Sequence, residues 1–300
     1  MKSHLKIIFT GSLAVLFILA CFSYMLSIET PRPITLKDDL KSEEVIFFGV
    51  ISRYSPKQII RGYQPLMDYL SEATPYKFEL RLSRSYMETV DQLVEEKVSF
   101  ASLGNFTYVH ANLDHGVRCI AMPLNEIGSS ENYDAFIVLE DSPIQTVTDL
   151  RMKSLAMASR FSFSAWMAIW MLEEEGISTK DLAAYTHLDH HDQVAEKVLR
   201  GEYDAGMVKA VVARKYEGKG LRVLAISPSI PSVPLVAGPQ VPNEKIGIVQ
   251  KALIALQDEI ESGRVNTQAW DDEIKHGYTE GNDESYDYTR QVLKKLGAWE

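Results

Sequence analysis

From Val45 onward, short apolar runs alternate with longer stretches in which apolar residues recur every three or four positions. Val45-Ile46-Phe47-Phe48-Gly49-Val50-Ile51 is almost continuously apolar, as a strand covered on both faces must be. Ser55-Pro56 then opens a helix with proline at its tolerated first position, and Ile59, Ile60, Tyr63, Leu66, Met67 and Leu70 form its inner face. Residues 77–82 alternate as a strand, and Ser85 with Glu88 makes a capping box for the helix that follows. Strands at 98–103 and 117–122 flank a helix opened by Gly104-Asn105. The same alternation continues with strands at 133–139, 153–158, 185–188, 203–208, 221–226 and 233–237. A long helix begins at Asn243 and a last one near Glu284. Repeated strand–helix–strand order predicts an α/β fold of mainly parallel sheets flanked by helices.

The chain has 300 residues, enough for two units that each bury a core. Linker-like points near Asn132-Tyr133 and across 229–232 divide it. One lobe would comprise 42–132 plus 233–300, and the second 133–232, with a cleft between them. Ligands of open α/β sheets bind where the strand order reverses, which is where such a cleft lies.

Ahead of the folded part, Lys2 and Lys6 precede an uncharged run from Ile7 to Ile28 that ends at Glu29. A basic start followed by an apolar core reads as an export signal, and the run is about the length of a spanning helix. Residues 1–29 are expected to be a retained signal-anchor or, through Ile18-Leu19-Ala20-Cys21, a lipoprotein signal with Cys21 acylated. Residues 30–41, with Pro31 and Pro33, form a tether. The basic residues lie on the N-terminal side, so the body is expected on the periplasmic or extracytoplasmic side of the cytoplasmic membrane.

A formal net charge of -10 argues against non-specific nucleic-acid binding. His187, His190 and His191 cluster, and His187 and His191 are four apart, but they fall on a strand and on the turn that caps the next helix rather than on one helix as in a helical zinc site, so no metal or cofactor is expected. No nucleophile–base pair stands out, and no enzymatic activity is expected.

Residues 153–158 read as a short buried strand, 159–164 as a polar loop and 165–175 as a helix closed by Gly176. Ser162 or Ser164 falls at the N-cap. The hydroxyls can cap the helix, or they can join its free N–H groups as an anion site. Trp166, Trp170, Met167 and Met171 recur at core spacing. Arg53 and Arg160 flank the expected cleft, with solvent exposure the ordinary state of arginine.

Several ordered segments resemble those of the phosphate/phosphite/phosphonate-binding proteins of ABC importers, which are type II periplasmic binding proteins. They are Phe48-Gly49-Val50-Ile51 with 63–70, Ser85-Tyr86-Met87-Glu88, Asp141-Ser142-Pro143-Ile144 with Asp149-Leu150, and Ser162-Phe163-Ser164-Ala165. Further on come His191-Asp192, 201–206, and Ser227-Pro228 with Ile230-Pro231. The resemblance covers nearly all the chain after the tether. It implies a two-lobed fold that captures a small phosphorus oxyanion or an aminoalkylphosphonate for an ABC permease. A ligand-sensing module reporting to a membrane sensor kinase, or a family member with a shifted ligand class, is the alternative. It further implies oxyanion contact by Ser162 and Ser164, with Phe163 where the family has threonine and Ala165 where it has glycine. Tyr86 would face the ligand, and Leu103-Gly104-Asn105 replaces a Tyr-Gly-Asn segment. Asp192 and Asp204 would hold a ligand ammonium, and His191 would join the pocket. By their local sequence, Asp204 could instead cap a helix, and Asp192 could simply favour a helix dipole.

Overall fold

The structure is a computed structural model, and it describes residues 44–298. The N-terminal segment and Cys21 lie outside the described residues. Among those residues no helix is long and apolar enough to cross a membrane.

The chain opens with β1 (Glu44–Val50), α1 (Pro56–Ala73), β2 (Tyr76–Leu82), α2 (Tyr86–Val94), β3 (Phe100–Ser102), α3 (Asn105–His115) and β4 (Arg118–Pro123). The apolar run of β1 is central, paired in parallel with β2 on one side and β3 on the other. Helix α1 buries Ile59, Tyr63, Leu66, Met67 and Leu70, whereas Ile60 turns outward because it falls off that stripe. The Ser85 hydroxyl accepts from the Glu88 N–H at 3.2 Å, which starts α2 as its capping box requires.

A short β5 (Glu131–Asn132) leads into the second sheet. There follow β6 (Asp134–Leu139), β7 (Ser154–Met157), α4 (Phe163–Glu174), β8 (Ala184–His187), α5 (His191–Leu199), β9 (Ala205–Lys209), α6 (Ala210–Tyr216) and β10 (Leu221–Ile226). The chain returns through β11 (Ile230–Pro231) to β12 (Leu235–Ala237), α7 (Asn243–Glu261), β13 (Tyr278–Glu280) and α8 (Asp287–Lys295).

Two sheets result, six strands in the order β13-β4-β12-β3-β1-β2 and five in the order β10-β6-β9-β7-β8. Both are mixed rather than wholly parallel. Both strands that follow a crossing are reversed: β6 runs antiparallel to β9 and β10, and β12 runs antiparallel to β3 and β4, while β13 at the sheet edge is also antiparallel to β4. A strand fed from the other sheet enters without a crossover helix, so nothing forces it into the common direction. The two crossings pair with each other, Ile230 opposite Asn132 and Pro231 opposite Glu131, and the Ser232 N–H adds a bond to the Ser130 carbonyl at 2.8 Å.

Two close approaches fix the site. A Cβ on Gly206 in β9 would lie 2.7 Å from Val194 and 2.9 Å from Val198, so α5 can seat on the second sheet only over glycine. A Cβ on Gly62 in α1 would lie 2.8 Å from the Asp271 Cβ. With the Asp271 N–H bonded to the Gly62 carbonyl at 3.0 Å, this presses the segment that carries Glu273 against α1.

Candidate functional site

The loop after β7 delivers Ser162 to the N-cap of α4. Its backbone starts the helix, but its hydroxyl does not cap it and lies 3.3 Å from His191 Nε2. Ser164 lies two residues further on, within the first turn, and its hydroxyl donates to Asp134 Oδ1 at 2.6 Å. Both hydroxyls are therefore directed away from helix capping. They meet His191 and Asp134 in a buried cavity of about 20 Å³, lined also by Ile51, Arg53, Tyr86, Asn105, Phe163 and Lys209.

Each wall residue is placed by an element end. Helices α2, α3 and α5 begin at Tyr86, Asn105 and His191. Their first-turn N–H groups have no intrahelical acceptor, so these ends favour negative charge. The side chain of Asn105 donates to the Pro231 carbonyl at 2.8 Å and ties α3 to a crossing strand. Lys209 and Asp134 are register partners on β9 and β6. Phe163 is buried, and on the surface side Phe106 stacks on Trp166 with ring centroids 6.1 Å apart.

A charged network runs behind this wall. Arg53, expected in solvent, is fully buried. It donates to Glu273 at 2.9 Å, to the Tyr63 hydroxyl at 2.7 Å and to Ser102 at 2.5 Å. Lys209 donates to the other Glu273 oxygen at 2.5 Å. A buried guanidinium persists only when its hydrogens are claimed, and here a carboxylate and two hydroxyls claim them. Burial works against the Glu273 carboxylate, but Lys209 and Arg53 outweigh it and hold its pKa well below the ordinary range. Burial pushes His191 down to about 3, with Lys209 adding to the effect, so its imidazole is neutral at pH 7. Burial pushes Asp134 up to about 6, although Lys209 and the Ser164 hydroxyl pull the other way.

Four buried polar atoms on the residues lining this cavity have no hydrogen-bond partner: Arg53 Nε, Tyr86 Oη, Asp134 Oδ2 and His191 Nδ1. Unpartnered buried groups are costly, and four at one cavity mark a place built for something polar. A larger surface groove of about 160 Å³, between Val98 and Lys245, has none of these atoms in its lining.

Two of the carboxylates suggested by the sequence stand elsewhere. Asp192 is nearby but engaged, accepting from Gln58 Nε2 at 2.7 Å. Asp204 is not in the cavity wall. It precedes β9 rather than a helix, at the end opposite Lys209, and it accepts from the backbone and hydroxyl of Ser154 at 2.8 and 2.7 Å. Conversely, Asp134, Lys209 and Glu273 escape a reading of the sequence. The one signal is a lone Lys209 set between the apolar runs 205–208 and 210–213, since a charge so flanked must find a partner inside. Among the described residues no group of three or more His, Cys, Asp or Glu could hold a metal ion.

Known structures share this architecture. A binding-protein component of an ABC phosphonate transporter from Pseudomonas aeruginosa superposes with a TM-score of 0.71 at 18% identity, over 83% of this chain and 85% of that one. PhnD1 from Prochlorococcus marinus, in complex with methylphosphonate, gives 0.73 at 16% identity over 85% and 98%. The periplasmic aliphatic sulphonate-binding protein SsuA from Escherichia coli gives 0.61 at 16% identity over 86% and 94%. At these identities the likeness establishes the two-lobed α/β fold. The family model for the periplasmic phosphonate substrate-binding protein of ABC transporters matches residues 48–286, through both sheets and every wall of the cleft. The chain therefore belongs to the phosphonate-binding family of periplasmic substrate-binding proteins of ABC transporters.

Proposed function

We propose that this chain captures a small phosphorus oxyanion in the cleft between its sheets and delivers it to an ABC importer. The observation that carries the reading is that four residues lining one cavity beside Ser162, Ser164 and the α4 N-terminus each hold a buried polar atom without a hydrogen-bond partner. Lys209 and Arg53 balance Glu273 and an ionised Asp134, so the wall has no net charge and would hold an anion through its hydrogen-bond donors and the start of α4. That arrangement suits an anion of low charge. It favours a simple oxyanion over an aminoalkylphosphonate, because Asp192 is engaged with Gln58 and Asp204 lies outside the wall. The cavity of about 20 Å³ is about the size of one water, so a ligand is admitted only when the lobes part.

The lobes proposed are residues 42–132 with 233–300, and 133–232. Residues 1–29 would tether the protein on the periplasmic side, as a retained anchor or through Cys21. A binding role without turnover fits the buried contact between Ser162 and His191. His191, with its pKa near 3 and no partner on Nδ1, is too weak a base to activate Ser162.

The test is a thermal-unfolding series on the purified chain with phosphate, phosphite, methylphosphonate, 2-aminoethylphosphonate, sulfate and small carboxylates. A ligand at a hundred times its dissociation constant adds about 2.7 kcal/mol, which raises Tm by roughly 5–10 °C for a domain of this size. A phosphorus oxyanion should give this shift, and Ser162→Ala with Ser164→Ala should abolish it. No shift with any of them would end the oxyanion reading.

A further inference from the structure

After the internal bonds are made, the atoms left over at the cavity are unequal. Arg53 Nε is a donor, and the Tyr86 hydroxyl can donate. His191 Nδ1 serves either way according to its tautomer. Asp134 Oδ2, when ionised, can only accept. Its other oxygen is already taken by Ser164. Lys209, its register partner, is turned to Glu273. A spherical or fully ionised anion would satisfy the donors and meet Asp134 as a like charge.

We propose that Asp134 is the specificity-determining residue of the cleft: its Oδ2 accepts a hydrogen bond from an acidic hydroxyl of the ligand, so the site takes a singly protonated phosphorus oxyanion and rejects a sulfonate of the same shape. The inference rests on the oxyanion reading above. No bond is made or broken. One proton is shared between a ligand oxygen and Oδ2, and the remaining ligand oxygens face Arg53, Tyr86, the Ser162 hydroxyl and the start of α4. Phosphorus oxyanions keep such a proton near neutrality, because their second ionisation lies close to it. Sulfonates do not, and their oxygens would press against the carboxylate.

Acid should blur the discrimination. Asp134 on β6 is faced by Lys209 on β9, Ser164 on α4, His191 on α5, Tyr86 on α2, Arg53 after β1, and Glu273 before β13. Of these, His191 is neutral and Arg53 and Glu273 stay charged between pH 5 and 7, so Asp134 is the group that changes. Once Asp134 carries its own proton it can donate to a sulfonate.

The experiment is titration calorimetry of the full chain with methylphosphonate and methanesulfonate at pH 7 and pH 5, for the native protein and for Asp134→Asn. One charge-assisted hydrogen bond made for one ligand and refused to the other predicts a preference for methylphosphonate of roughly thirtyfold at pH 7. That preference should shrink several-fold at pH 5. In Asp134→Asn, the Ser164 hydroxyl holds the amide oxygen and leaves the amide N–H₂ where Oδ2 stood, so the preference should fall below about threefold. Methylphosphonate binding with an unchanged preference in a folded Asp134→Asn protein would overturn the proposal and leave the oxyanion site standing. Should that variant not fold, the native protein decides, and an equal preference at both pH values overturns it. Binding of neither ligand would remove the oxyanion reading itself.

Discussion

Burial of Asp134 has a cost that its neighbours only partly offset. Its folded pKa of about 6 lies above the ordinary 3.8, so the folded state prefers the proton. The stability this group contributes is full below pH 3.8 and is lost as pH rises to about 6. Asp134→Asn removes that slope. It should stabilise the ligand-free protein at pH 8, by on the order of 2–3 kcal/mol, and change little at pH 4. Urea unfolding at the two pH values checks this, and equal effects at both would refute it. His191 acts in the opposite sense, since its folded pKa is lowered and its contribution is lost as pH falls from 6.5 toward 3. Ser162 and Ser164 stand out in sequence because they open a helix after a strand, and Tyr86, Asn105, Phe163 and His191 stand out through the resemblance of their segments to the phosphonate-binding family. Asp134, Lys209 and Glu273 do not. Glu273 follows Asp271 and Asp272, a run that reads as a solvated acidic turn until α1 and β9 close over it. Arg53 looks like any surface arginine until its partner 220 residues away is known.

At the scale of elements, sequence periodicity carries further. The central β1, the stripe of α1 and the capping box of α2 follow from apolar spacing and from single polar residues. The reversed directions of β6 and β12 do not, because direction depends on which sheet a strand is fed from, and apolar content is the same either way. Helix α5 shows how tightly one element can depend on one residue. Gly206→Ala would drive a methyl group into Val194 and Val198, and the backbone of β9 cannot yield without moving Lys209. It should cost about 1–3 kcal/mol, read as a lower urea midpoint with an unchanged slope. It should also weaken oxyanion binding, since α5 carries His191.

For the whole molecule, closure is held by contacts between groups on the two sheets' sides. Glu273 joins Lys209, Gln58 joins Asp192, the His190 ring donates to the Ser52 carbonyl at 2.8 Å, and Phe106 stacks on Trp166. Glu273 is the most exacting of these, because it forms ion pairs with both the buried Arg53 and the half-buried Lys209. Glu273→Ala should destabilise the fold by about 3–5 kcal/mol, as breaking a buried ion pair does. It should also part the lobes, seen as a larger radius of gyration in X-ray scattering. An unchanged radius would mean the other contacts suffice. The strap of β5 and β11 adds a mechanical consequence. Its two plies are bonded to each other, so bending across them preserves every bond, whereas twisting them shears the pair. Asn105 anchors one ply to α3. The molecule thus has one soft direction of travel, and whatever the cleft holds is presented to a docking partner along a single arc.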